Sequence, residues 1–268
     1  MDCKTRLAPS RKSETPLKTM AARLKFIVAY DGSPFEGWQS QSGGNTIQDH
    51  LERAFNKVTG SAIRVHGAGR TDSGVHALGQ CAHADLLDRR LTGERWARAL
   101  NANLPPKIRV LRCRYVSEKF HARFSAKGKL YRYRIWNAEV VMPFEFERVW
   151  HITGDFDFRK LGLAAQCFRG RHDFVGFAAN RGKPPASTIR TIRSVRVHRA
   201  GSLIVLDFEG DGFLYKMVRL MAGSVVDCAL GKRSPSELRL QLASGKSPKK
   251  PVRHAAPATG LFLVRVRY

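Results

Sequence analysis

Residues 67–77 of the chain read GAGRTDSGVHA, and the rest of the sequence is arranged around this stretch. Glycines permit a tight backbone path and let a ligand or a second segment approach closely. The stretch holds one carboxylate, Asp72, with Arg70 two positions before it and His76 four positions after it. The composition predicts a loop that presents Asp72 at the floor of a cleft.

The residues of this loop leave three other interpretations open. Its first glycines begin like a dinucleotide-binding fingerprint, but that motif requires a helix next, and residues 78–86 alternate like a strand. Asp72 is also typical of an ordinary turn, in which its side chain caps the backbone. The third alternative is a metal site that uses His66, His76 and His83, although their spacing matches no familiar ligand pattern.

The amino-acid composition limits the classes of protein to which the chain can belong. The chain of 268 residues has 47 Lys and Arg residues against 22 Asp and Glu residues, a formal net charge of +25. A folded protein this basic most often binds a polyanion, and nucleic acid is favoured over an anionic membrane. A hydrophobic fraction of 43% excludes global disorder. Five scattered cysteines and the lack of a membrane-length apolar run predict a cytoplasmic location.

Periodicity predicts two α+β domains behind a disordered basic arm of residues 1–22. The first domain, residues 23–118, carries the Asp72 loop and has the element order strand, helix, strand, strand, helix, strand. That order is typical of a ferredoxin-like half. The second domain, residues 119–268, again alternates strands and helices, so the sequence predicts an α+β fold of two related halves.

A second informative stretch, residues 210–231, is apolar nearly all round and predicts a buried helix with Arg219 in its middle. Arginine cannot lose its charge, so a buried arginine requires an anionic partner. Asp72 is the candidate partner. The alternatives are that Arg219 reaches solvent or meets a phosphate directly.

Residues 130–136 alternate like a strand and mix aromatic with cationic side chains. Such a strand can offer rings for stacking on bases and charges for phosphates. An ordinary strand with one core face and one solvated basic face explains the pattern equally well.

Several segments together resemble one known family, the TruA-type tRNA pseudouridine synthases. The resemblance covers about residues 24–268, and its motifs follow one another in the family's order. They are YDG at 30–32, GWQ at 37–39, GRTDSGVHA at 69–77, FHARF at 120–124, YRY at 131–133, GFL at 212–214, MVR at 217–219 and APATGL at 256–261.

This resemblance implies a fold, an activity and partners. The fold is the pseudouridine synthase fold, in which two ferredoxin-like-derived α/β halves form a continuous mixed or antiparallel sheet with a central cleft. The activity is isomerisation of uridine to pseudouridine at positions 38, 39 and 40 of the tRNA anticodon stem-loop. The family acts as a homodimer, without metal or organic cofactor.

The matching motifs also imply residue roles. Asp72 is the catalytic nucleophile and Arg219 its ion-pair partner, while Tyr131 stacks on the target base. Arg70 helps to displace that base from the stem, and Leu261 lies against the pocket. The chemistry fits, because one carboxylate can act at the ribose while the base detaches and turns.

Two other functions remain open on the residues. A non-catalytic RNA-binding module explains the charge and the aromatic residues, but it gives no reason for a carboxylate on a loop facing a polyanion. A nucleoside or glycoside hydrolase would need a second catalytic carboxylate, which the loop does not offer.

Overall fold

The computed structural model describes residues 22–179, 186–244 and 255–268 of the chain. The basic arm predicted at the N-terminus lies outside the described residues, except that Ala22 already begins the first strand. Within the described ranges, no helix has the length and apolar character needed to cross a membrane.

The first half of the chain contains four strands and two helices. They are β1 (Ala22–Tyr30), α1 (Ile47–Thr59), β2 (Val65–Gly67), β3 (His76–Leu86), α2 (Gly93–Ala102) and β4 (Ile108–Val116). Strand β1 lies between β4 and β3, β2 pairs with β3, and all of these pairs are antiparallel. This is the split βαβ arrangement that the element order predicts.

The second half repeats this arrangement. Its elements are β5 (Gly128–Asn137), β6 (Trp150–Ile152), α3 (Phe158–Gln166), β7 (Gly170–Asp173), β8 (Ile189–Ala200), β9 (Leu203–Gly210), α4 (Met217–Ala229), α5 (Pro235–Ser244) and β10 (Leu261–Arg267). The strand order is β10-β5-β9-β8-β7, and the short strand β6 pairs with β5. When β6, β7 and α5 are left out, the remaining elements of the second half follow one another as strand, helix, strand, strand, helix, strand, as in the first half. Their strands also have the same neighbours in the sheet as the corresponding strands of the first half.

The two halves join along β3. One edge of β3 carries β1, and the other edge is shared by β2, opposite residues 82–84, and by β10, which runs parallel to His76 and Ala77. The ten strands therefore form one continuous mixed sheet, which confirms the predicted fold class. The Asp72 loop, residues 68–75, connects β2 to β3 at this junction.

Local sequence signals place the first helix. The Thr46 hydroxyl accepts a hydrogen bond from Asp49 N, and the Asp49 carboxylate accepts one from Thr46 N, which completes a capping box at the start of α1. Ile47, Leu51 and Phe55 form its buried face. A single buried apolar cluster takes side chains from α1, α2, α3 and α4, so the helices of both halves share one core.

The prediction of a helix from residue 210 was wrong at its start. Lys216 has a left-handed φ of 57°, and α4 begins only at Met217. Arg219 therefore lies in the first turn of the helix and not in its middle. Residues 211–216 instead line the cleft between the halves. Apolar content alone does not distinguish a buried helix from an irregular apolar segment.

Candidate active site

The Asp72 loop turns at Asp72 itself. Val75 N donates a 3.1 Å hydrogen bond to Asp72 O, and Gly74, the third residue of this turn, has a φ of 77° that glycine adopts without strain. The Asp72 side chain is 19% exposed. The strand β3 follows the loop, which rules out the dinucleotide-binding interpretation, because that motif needs a helix there.

The segment after β1 holds the loop in place. Trp38 N donates to Thr71 O at 3.0 Å, and the hydroxyls of Tyr30 and Thr71 are 2.8 Å apart. Gly37, with a φ of 89°, lies so close that a Cβ there would be 2.7 Å from Thr71 O. Two separated motifs of the sequence, YDG to GWQ and GRTDSG, therefore form one support for Asp72.

Arg219 meets Asp72 across the junction of the two halves. Its Nη1 lies 3.2 Å from Asp72 Oδ2, and its side chain is 15% exposed. Arg219 Nε donates to Ala256 O at 2.7 Å, so the guanidinium is held on two sides. The structure thus brings together the two residues that the buried-arginine argument paired. The guanidinium supplies the anionic side chain of Asp72 with a cationic partner inside the cleft.

Tyr131 lines the same cleft from β5. Tyr131 is 8% exposed. The ring of Phe213 packs edge to face against the Tyr131 ring, with the ring centroids 5.0 Å apart. Burial raises the pKa of the Tyr131 phenol, and the nearby Tyr30 and Asp72 raise it further. The phenol therefore stays protonated at neutral pH, and its ring is available as a flat apolar surface.

Leu261 and Arg70 complete the predicted set. Leu261 is 6% exposed, lies opposite Tyr133 in the sheet and lines the cleft. Arg70 is exposed at the cleft, where its Nε donates to Gln39 Oε1 at 3.0 Å. All five predicted residues thus face one cavity, Asp72 and Arg219 in direct contact and Arg70 on its exposed side.

The cleft has a volume of about 930 Å³ and takes its walls from both halves. This is the upper end of the range for small-ligand pockets, so it has room for more than one base. Its lining is strongly basic. The cations among the described lining residues are Arg64, Arg70, Arg123, Lys129, Arg190, Lys216 and Arg219, and the carboxylates are Asp72 and Asp211.

His76 has a structural position that the sequence did not reveal. Gly32 N donates to its Nδ1 at 3.1 Å, and its Nε2 lies 2.9 Å from Glu147 O, which requires the neutral Nε2–H tautomer. Burial lowers the pKa of His76, which agrees with this tautomer. The 3.2 Å approach of Asp31 Oδ1 to Nδ1 is then a contact with a neutral ring and not an ion pair.

The three histidines considered as metal ligands do not converge. His66 and His83 stack with ring centroids 5.0 Å apart, whereas His76 packs against Phe262. Across the residues that the structure describes, no group of three or more His, Cys, Asp or Glu side chains could hold a metal ion.

Comparison with known proteins gives a consistent result. The model of a family described as tRNA pseudouridine synthase matches residues 26–125 and 164–268. A protein of Akkermansia muciniphila named tRNA pseudouridine synthase A is 46% identical over 252 residues, which covers 92% of this chain and 95% of that protein. Proteins of the same name from Acetivibrio thermocellus and Methylacidiphilum infernorum are 39% and 41% identical, each over 91% of this chain and over 99% and 94% of their own lengths.

A solved structure entitled "Crystal Structure of a Cbf5-Nop10-Gar1 Complex" aligns with 90% of this chain and 47% of its own chain. Its TM-score of 0.33 and identity of 11% are too low to support an argument about this site.

The duplicated sheet, the basic cleft and the matched motifs define an isomerase of the pseudouridine synthase class. Within that class, the chain belongs to the tRNA pseudouridine synthase family, and its similarity to relatives named tRNA pseudouridine synthase A spans over nine tenths of its length.

Proposed function

We propose that this chain isomerises uridine to pseudouridine at positions 38, 39 and 40 of the anticodon stem-loop of tRNA. The observation that carries the proposal is the contact between Arg219 and Asp72 in a basic cleft lined by Tyr131. Seven cationic lining side chains suit an RNA backbone, and the ordered motifs support the choice of the anticodon stem-loop.

The target base is paired and stacked in the stem, so it must leave the helix before reaction. Arg70, at the exposed side of the cleft, takes the place of the extruded base. Tyr131 stacks on the base once the base has entered the cleft. The edge-to-face contact with Phe213 fixes the orientation of the Tyr131 ring. Leu261 closes the pocket with an apolar side chain.

Asp72 then acts at the ribose as a nucleophile. Arg219 holds the carboxylate in position through their 3.2 Å contact. The carboxylate bonds to C1′ as the C1′–N1 bond breaks, and the base turns within the pocket. C5 then bonds to C1′, which breaks the bond between C1′ and the Asp72 oxygen and frees the carboxylate. Uridine and pseudouridine are isomers, so no group or electron needs to be supplied, and the proposal includes no metal or organic cofactor.

We further propose that the protein acts as a homodimer. The loop between β5 and β6 exposes large apolar side chains: Val140 is 73% exposed, Met142 51%, Phe144 86% and Phe146 63%. The same loop carries Glu139, Glu145 and Glu147. Its acidic and apolar character repels RNA, but it suits contact with a second copy of a chain whose net charge is +25.

Two assignments follow from the proposed activity. We divide the chain into a catalytic-loop domain, residues 23–118, and a second domain, residues 119–268, since residues 117–127 link the two repeats of the fold. A cytoplasmic location fits a tRNA substrate and the four free cysteines found among the described residues.

Unmodified tRNA transcripts provide the test. After incubation with the protein, carbodiimide-dependent reverse-transcription stops should appear at positions 38, 39 or 40 wherever the transcript has uridine there. Transcripts with cytidine at these positions are the matched control and should give no stops. Binding of the transcripts without any stop would overturn the proposal in favour of a non-catalytic RNA-binding module.

A further inference from the structure

Lys129 lines the cleft but has no role in the mechanism above. It lies on β5 two residues before Tyr131, so both side chains point to the same face of the sheet. Its ammonium nitrogen touches the start of the Asp72 loop, since a Cβ placed on Gly69 would lie 2.6 Å from Lys129 Nζ. Lys129 is therefore a cation in the lining of the cleft, next to the Asp72 loop.

The described residues provide no carboxylate to balance the charge of Lys129. Among the described residues, no carboxylate lies within 4.0 Å of its Nζ. The nearest acidic position on the adjacent strand, Glu209, already pairs with Arg265 and Arg267, at 3.6 and 2.7 Å. Lys25, a buried lysine of β1, shows the contrast, because its Nζ lies over the ring of Tyr268 at 3.7 Å.

Such an arrangement costs folding free energy unless a ligand supplies the missing anion. Burial, together with a smaller effect of the nearby Arg123, lowers the pKa of Lys129 to about 8. The cation is therefore retained at neutral pH without a carboxylate partner among the described residues, although a neutral side chain of similar length would be more favourable for folding.

The reaction itself generates an anion at this place. When the C1′–N1 bond breaks, its electron pair leaves with the uracil, whose charge is shared by N1 and the two carbonyl oxygens. Tyr131 holds the face of that ring in the proposed function. Lys129 lies two residues before Tyr131, about 7 Å away along the same strand face, and lines the same cleft.

We propose that Lys129 is a further catalytic residue, whose ammonium group donates a hydrogen bond to a carbonyl oxygen of the detached uracil and stabilises its charge. This rests on the proposed function. Lys129 keeps its own protons throughout. The anion's electron pair forms the C5–C1′ bond and displaces the Asp72 carboxylate from C1′. The proton on C5 departs and N1 gains a proton, so the product is an isomer of the substrate. Preorganised cations of this kind stabilise developing charge without reorganisation.

Three variants separate this role from a simple grip on phosphate. Lys129→Met removes the charge at nearly constant length, Lys129→Arg keeps it, and Lys119→Met removes one exposed lysine outside the cleft. With saturating enzyme and a tRNA transcript in single turnover, we expect Lys129→Met to be about 10²- to 10³-fold slower than wild type. Lys129→Arg should stay within about tenfold, and Lys119→Met should match wild type. The tRNA Kd of Lys129→Met should change by less than about twofold.

Other results overturn the proposal. A wild-type single-turnover rate in Lys129→Met excludes the role, and so does a weakened Kd with an unchanged rate at saturation, which would indicate a phosphate contact. Thermal unfolding of each variant shows whether it is folded. A folded but inactive Lys129→Arg variant would show that a positive charge at this position does not restore the rate, which also overturns the proposal. Lack of pseudouridine with the wild-type protein would overturn the proposed function itself.

A pH profile gives a second readout. The other charged and titratable groups among the described residues that line the cleft are Arg64, His66, Arg70, Asp72, His121, Arg123, Tyr131, Arg190, Asp211, Tyr215, Lys216 and Arg219. Lys129 is cationic below its pKa of about 8, so kcat/KM should fall as the pH rises through that value. In Lys129→Arg the fall should disappear, because arginine stays charged. The same fall in both proteins would contradict the proposal.

Discussion

Arg219 and Asp72 are 147 positions apart in the chain, yet Nη1 of one lies 3.2 Å from Oδ2 of the other. Asp72 comes from the loop that enters β3 in the first half, and Arg219 from the first turn of α4 in the second. The left-handed Lys216 starts the helix at the point that brings Arg219 over the junction. The ion pair is thus a direct link between the two halves at the cleft.

Replacement of Arg219 by Met should slow pseudouridine formation by at least about tenfold, which corresponds to about 1.4 kcal/mol of lost transition-state stabilisation. The reason is that Asp72 loses the cationic side chain that contacts and positions its carboxylate. Single-turnover rates on a tRNA transcript are the measurement, with the Kd determined in parallel. An unchanged rate would show that the pair does not serve catalysis.

Tyr131→Ala and Tyr131→Phe should behave differently. Stacking of a base on an aromatic ring is worth about 1–3 kcal/mol, so loss of the ring in Tyr131→Ala should cost about five- to 150-fold in rate. Tyr131→Phe keeps the ring and the edge contact with Phe213, and should stay close to wild type. Equal rates in the two variants would argue against stacking.

Gly37→Ala should disturb the Asp72 loop, because its Cβ would lie 2.7 Å from Thr71 O. Gly44→Ala is the matched control, since Gly44 also has a positive φ, of 68°, but has open space around its Cβ position. Both variants should lose about 1 kcal/mol of unfolding free energy to backbone strain. We expect Gly37→Ala to lose more stability and most activity, whereas Gly44→Ala stays active. Comparable activity in both would show that the close contact does not position Asp72.

Phe144→Asp should convert the proposed dimer to a monomer, because it places a charge on the exposed apolar loop between β5 and β6. Leu240→Asp is the control, since Leu240 is 71% exposed on α5, away from that loop. Sedimentation at micromolar concentration should give a dimer for wild type and Leu240→Asp. A Phe144→Asp dimer would place the interface elsewhere, and a monomeric wild-type protein would remove the dimer proposal.

The sequence predicts those parts of the fold that have local signals. Helix α1 belongs to the predicted element order, and its signals are local, because the Thr46 capping box and the apolar face lie within the helix and at its start. Strands β6 and β7 were not predicted, since three and four residues carry little periodicity and each forms only by pairing with a longer strand. The start of α4 was wrong because nothing local marks the left-handed Lys216.

The residues of the active site could likewise be predicted only where the sequence itself carries a signal for them. Asp72 and Arg219 could be paired from the sequence, because a buried arginine requires an anion and the loop offers one. Lys129 could not be found in this way. Its distinguishing property is that no described carboxylate approaches it, and that is a property of the folded cleft and not of the strand sequence.

The most direct test of the account is the rate of pseudouridine formation by Asp72→Asn, measured in single turnover with tRNA at saturating enzyme. Asparagine is nearly isosteric but cannot act as a nucleophile in the same way, so we expect a rate at least about 10³-fold below wild type with the tRNA Kd within about twofold. A wild-type rate in Asp72→Asn would contradict the central claim that this carboxylate carries the chemistry.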